Sequence, residues 1–112
     1  MPLLWTAWNN GKHHATGAGY GLKVPIADRD RYFNREWKSV ILEISERGDL
    51  IKIEMNVDKP SFWNETCREI INKDFGKWLR KSGLVPWLPG KPPKLIIKVI
   101  GERRFRISNV SA

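Results

Sequence analysis

The alternation of apolar and polar residues is sharpest in the middle of the chain. Val40, Leu42 and Ile44 share one face of a strand over 37–45, and Ile51, Ile53 and Met55 share one face of another over 50–56. A two-residue turn at Arg47-Gly48, or a four-residue turn over 46–49, pairs 44 with 51, 42 with 53 and 40 with 55. That register keeps both apolar sets on one side and sets Glu43 opposite Lys52, a favourable cross-strand pair. Glu43 and Glu54 therefore have a structural reason and are not read as catalytic. A second hairpin lies at the C-terminal end, 94–100 with 104–110. With its loop centred on Glu102 it pairs 98 with 106 and 97 with 107, and directs Leu95, Ile97, Val99, Phe105 and Ile107 inward.

The rest of the pattern is less regular. Residues 3–8 read as a first strand and 20–26 as a second, with Leu22, Val24 and Ile26 alternating against Gly21, Lys23 and Pro25. Pro25 donates no hydrogen bond, so that strand is an edge or ends there. Asp28 is a candidate N-cap for one or two helical turns over 28–34, whose alternating charges read as a solvated face. Ser61 is placed to cap a helix to about residue 71, with Trp63, Cys67, Ile70 and Ile71 on its buried stripe and Cys67 a core thiol. Asp74 is placed to cap a second helix that turns Phe75, Trp78 and Leu79 inward and stops at Gly83. Residues 84–93 form an extended apolar loop in which Trp87 and Leu88 cover the core. These elements predict one α+β domain over 1–112: a curved, mostly antiparallel sheet or partly open barrel of about six strands, with two short helices within 61–82.

One stretch carries a family resemblance. Leu22-Lys23-Val24-Pro25, the short charged turn at 28–33 and the strand at 40–44 resemble the strand–proline–short helix–strand order of swapped-hairpin and B3-type DNA-binding barrels. The resemblance implies a partly closed barrel. That family has a basic residue immediately after the proline, whereas this chain has Ile26, so no binding residue carries over.

Charge narrows the class of partner. Lys and Arg number 20 against 12 Asp and Glu, a formal net charge of +8, which favours polyanions: DNA or RNA, an anionic membrane surface, or an acidic protein. The second hairpin gathers Lys94, Lys98, Arg104 and Arg106 on its polar face with no acid between them, and the second helix presents Lys73, Lys77, Arg80 and Lys81. Trp5, Trp8, Tyr20, Tyr32, Trp37 and Trp87 are aromatics of the kind that stack on bases, although core duty is the default in so small a domain. Cys67 is the only cysteine, so no intramolecular disulfide forms and no cysteine-based zinc site is encoded. The start of the sequence has no signal-peptide pattern and no run is long enough to span a bilayer, which predicts a cytoplasmic protein without a membrane partner.

Residues 5–23 are the part a fold alone least requires. They hold Gly11, Gly17, Gly19 and Gly21, His13 and His14, and Lys12 and Lys23. Gly17 and Gly19 could offer backbone N–H groups to a phosphate beside Lys12 and Lys23, but the segment is neither a P-loop nor a dinucleotide fingerprint. His13-His14 has no carboxylate or thiolate neighbour, so no metal is assigned. One of the two histidines, with Lys12 or Thr16, could serve as an acid–base pair on a phosphodiester. Otherwise the segment is a glycine-rich crossover with exposed histidines. The leading expectation is a non-enzymatic nucleic-acid-binding module without cofactor or metal, meeting phosphates through the basic sheet face. The alternatives are a metal-independent phosphoesterase using His13 or His14, and a subunit that binds an acidic protein.

Overall fold

The computed structural model describes residues 3–46 and 48–111. Seven strands form one curled mixed sheet, a half-barrel, in the order β4-β3-β7-β6-β1-β2-β5. They are β1 (Leu3–Asn9), β2 (Tyr20–Lys23), β3 (Ser39–Glu46), β4 (Asp49–Asn56), β5 (Glu69–Ile71), β6 (Lys94–Gly101) and β7 (Arg104–Ser111). Three short helices, α1 (Ile26–Tyr32), α2 (Pro60–Trp63) and α3 (Lys73–Lys81), accompany them. Among the described residues only β3 and β7 run parallel; the other strand pairings are antiparallel. The partly closed barrel is therefore present. Its two edge strands approach each other where Asn72 Nδ2, just past β5, donates to Glu54 O on β4 at 3.1 Å.

The central hairpin has the expected register: Ile44 opposite Ile51, Leu42 opposite Ile53 and Val40 opposite Met55, with Glu43 opposite Lys52. Pairing extends to Glu46 and Asp49; of the turn residues, Gly48 has φ 85°, and Arg47 lies outside the described residues. The terminal hairpin pairs Lys98 with Arg106 and Ile97 with Ile107 as expected, but the register shifts on either side: Leu95 pairs with Val110, and Gly101 pairs with Arg104 across a two-residue turn in place of the odd-length loop centred on Glu102. Leu95, Ile97, Phe105 and Ile107 are buried as expected, but Val99 is 45% exposed, next to a register shift that ends the regular ladder at Gly101.

The helices depart most from the periodic reading. α1 begins at Ile26 rather than Asp28, because Pro25 at φ −56° leads straight into it. Asp28 is then free to accept from Trp5 Nε1 at 3.0 Å instead of capping. The charged turn is not wholly solvated either. Arg29 is buried and donates to the carbonyls of Phe62 and Asn64, with Trp63 under its guanidinium, so it pins α1 to the 62–64 segment. α2 starts at Pro60 with Lys59 as N-cap and ends at Trp63, not near residue 71. Asn64 Oδ1 takes the N–H groups of Thr66 and Cys67, and Arg68 enters a left-handed conformation at φ 56°, which turns the chain into β5 against β2. Cys67 is accordingly half-buried in a turn and not on a helical stripe. α3 is capped by Asn72, whose Oδ1 accepts from Phe75 N at 2.9 Å; Asp74 lies inside the first turn. Gly83 does end α3: its N–H reaches Arg80 O and the N–H of Leu84 reaches Leu79 O, a Schellman pair.

One core fills the inner face. Phe33 brings α1 onto Phe105 in a stacked pair with centroids 4.9 Å apart, and Trp5 and Phe62 pack around them. Phe75 and Leu79 seat α3 in the same cluster. Trp87 packs on this core, whereas Leu88 is 69% exposed and does not cover it. No helix among the described residues is long and apolar enough to cross a membrane.

Candidate nucleic-acid interface

Because side chains alternate across a strand, the residues between the core positions make the outer face of the half-barrel. One row across it reads Lys98 on β6, Arg106 on β7, Glu43 on β3 and Lys52 on β4. The next row places Arg104 beside Ile41 and Glu54, and Lys94 lies further along β6 beside Thr6 of β1. The sequence arithmetic brought Lys94, Lys98, Arg104 and Arg106 to one face correctly, but the absence of an intervening acid is corrected: the parallel pairing of β3 with β7 inserts Glu43 among them.

Glu43 is fully buried although it points away from the core. Arg104 donates to Oε2 through Nη2 at 2.5 Å and Nε at 3.2 Å, and Arg106 donates to Oε1 through Nη2 at 2.9 Å. The arginine stems cover the carboxylate while the side chains stay about half-exposed, at 48% and 43%. The hydrogen bonds from Arg106 and Arg104, and their charges, hold the Glu43 carboxyl below the usual glutamate range. Lys52, expected to be its partner, sits opposite but makes no ion pair with it among the described residues. The result is a fixed pair of guanidiniums, with N–H groups to spare, flanked by the exposed ammonium groups of Lys98, Lys52 and Lys94.

The α3 cations lie beside the β4 edge of the sheet. Lys77 and Arg80 are exposed, and Lys81 lies on the same helix, whose apolar side enters the core; Lys77, Lys81 and Trp78 line one open pocket with Ile51, Lys52 and Ile53 of β4. Lys23, half-buried on β2, stands between Thr6 and Glu69 on the outer face.

The glycine-rich segment is shaped by packing. Gly17, at φ 85°, is buried against α3, so close that a Cβ on it would lie 2.7 Å from Lys73 O and Lys77 N, and its N–H donates to His14 O. A Cβ on Gly19 would meet the Asn10 side chain at 2.7 Å. Lys12 is exposed, in a loop tied by Asn9 Nδ2 to Lys12 O and by Asn10 Oδ1 to Lys12 N. The two histidines part company. His14 is exposed, while His13 is half-buried, with Nδ1 2.7 Å from the Tyr20 hydroxyl and its ring edge-on to Trp87 at 4.9 Å. His13 and Trp87, with Trp8 and Pro92, line an open cleft of about 510 Å³. Among the described residues, no three His, Cys, Asp or Glu side chains come together as metal ligands.

Two features of the site escaped sequence reasoning. Glu43 was legible as a structural residue opposite Lys52 but not as the arginines' partner, since nothing local encodes a parallel contact between residues 43 and 106. The cleft joins residues 8 and 13 to residues 87 and 92, and the only hint was the tryptophan-and-proline content of its second wall. No family model, curated protein or solved structure matches the chain.

Proposed function

We propose that this chain is a non-enzymatic nucleic-acid-binding module that meets the phosphate backbone with the outer face of its half-barrel. The observation that carries this reading is the row Lys98–Arg106–Glu43–Lys52 with Arg104 and Lys94 beside it. Its central carboxylate is satisfied internally, so the face is positive on balance. Arg104 and Arg106 are oriented by Glu43 before any ligand arrives, which lowers the entropy lost when a guanidinium grips a phosphate. Contacts of this kind are sequence-independent and position the partner without reading bases.

The test is fluorescence anisotropy with labelled DNA and RNA between about 50 and 200 mM salt, where phosphate contacts weaken steeply. Lys94→Ala combined with Lys98→Ala is the informative variant, because among the described residues neither lysine side chain bonds another residue. Reversing Arg104 or Arg106 would instead strand Glu43 and confuse binding with folding. Loss of two phosphate contacts lowers the slope of log K against log salt by about 1.4 for single strands and about 1.8 for duplex. An unchanged slope, or no binding at about 50 mM salt, would overturn the proposal.

A further inference from the structure

Five of the six tryptophans belong to the core or pack on it: Trp5 and Trp78 are inside, and Trp37, Trp63 and Trp87 lie against it. Trp8 does neither. It stands on the outer face of β1, half-buried, directly opposite Gly21, which has no side chain to cover it. From there it forms one wall of the 510 Å³ cleft that continues to His13, Trp87, Pro89 and Pro92. A cleft of that volume is within the range that takes small organic groups.

His13 and Trp87 are held in place by Tyr20. Tyr20 is fully buried, and its hydroxyl holds His13 Nδ1, while His13, Tyr20 and Trp87 pack edge to face in a triangle with centroids 4.9 to 5.9 Å apart. His13 is left with Nε2 as its one other polar atom. The rim is positive. Lys12 sits between two cleft residues, Lys91 follows a third, and Lys94 lies on the outer face beside Thr6, two residues before Trp8; all three are exposed. The two segments that build the cleft fall within stretches, residues 3–27 and 75–101, that contain no aspartate or glutamate. An open cleft with Trp8 and Trp87 in its lining and lysines around it is complementary to a nucleobase carried on its phosphates.

We infer that this cleft takes one unpaired base of a single-stranded nucleic acid, stacked on Trp8 and Trp87, while the neighbouring strand runs over Lys94 and Lys98. The inference rests on the nucleic-acid reading and gives it a substrate class: single strands over duplex. Duplex cannot present an unpaired base without first breaking a pair.

The experiment compares three labelled probes at about 50 mM salt: a thymidine 12-mer, the same backbone without bases, and a 12-base-pair duplex. The protein binds the thymidine strand most tightly, with quenching of tryptophan emission. Trp8→Ala, which leaves the core untouched, weakens that probe about 5- to 150-fold, the worth of one base stack, and leaves the base-free strand unchanged. Lys94→Ala with Lys98→Ala weakens all three. Equal affinity for the thymidine and base-free strands, a duplex bound as tightly as the single strand, or a silent Trp8→Ala overturns the base cleft while phosphate binding stands. Failure of every probe to bind removes the nucleic-acid function and the cleft's occupant together. The ratio between thymidine and base-free strands needs no variant, so the test holds even if Trp8→Ala folds poorly.

Discussion

Gly76 offers a test in which two physical effects have opposite sign. It lies within α3, where alanine is favoured over glycine by about 1 kcal/mol on helix propensity alone. Yet an added Cβ would stand 2.0 Å from Gly17 O, 2.8 Å from Gly17 C and 2.9 Å from Tyr20 Cβ. Carbon contacts settle near 3.5 Å, so the Gly17 carbonyl would have to retreat by more than about 1 Å. It has little freedom to do so, because Gly17 is itself wedged against Lys73 and Lys77 backbone and donates its N–H to His14 O. Overpacking costs about 1–3 kcal/mol, and an obstacle made of main chain belongs at the upper end. Three less one leaves a net loss of about 2 kcal/mol for Gly76→Ala, or a fall in Tm of about 8 °C at roughly 4 °C per kcal/mol. Urea and thermal unfolding read it directly, with Arg80→Ala on the exposed side of the same helix expected within about 0.5 kcal/mol of the parent. If Gly76→Ala were as stable as the parent or more so, the helix propensity would have won, and the close Gly17–Gly76 contact could not be what fixes the glycine-rich loop.

Two further perturbations address the sheet. Glu43 has its carboxyl lowered by its two arginines, so its stabilisation is complete above the ordinary glutamate value and disappears as pH falls through the lowered one. Glu43→Gln should therefore reduce stability at neutral pH and flatten the acid limb of a stability–pH curve measured in urea; an unaltered limb would mean the carboxylate is not held by Arg104 and Arg106. Asn72→Ala should cost about 1 kcal/mol for the lost cap of α3 and a little more for the lost bond to Glu54 O. Asn72→Asp keeps the cap acceptor, loses the donor and adds a negative charge that favours the helix N-terminus, so a loss of stability in Asn72→Asp, read by calorimetry, reports the contact that draws β5 toward β4.

The hairpins were legible because the information is local. A short turn and a period-two apolar pattern leave one register that buries both faces, and Leu42 opposite Ile53 and Ile97 opposite Ile107 follow. The helix expected over 61–71 was misread for a related reason. Trp63, Cys67 and Ile70 fit a helical stripe as well as they fit a turn followed by a strand, and the choice was made by Asn64 and by β2, which takes β5 along its free edge. The alternating charges at 28–31 looked solvated because no periodicity announces that Arg29 will find carbonyls at residues 62 and 64.

By itself the sequence determined the fold class, the register of the central hairpin and that of the terminal hairpin over residues 97–99, the glycine stop of the last helix and the gathering of Lys94, Lys98, Arg104 and Arg106 on one face. Each depends on residues close along the chain, where backbone geometry leaves few alternatives. Only the tertiary structure decided that β3 lies parallel to β7 and sets Glu43 beneath two arginines, that Gly17 meets Gly76, and that residues 8, 13 and 87 share a cleft. Those contacts join segments separated by tens of residues, and they are selected by the packing of one common core, which no local pattern encodes.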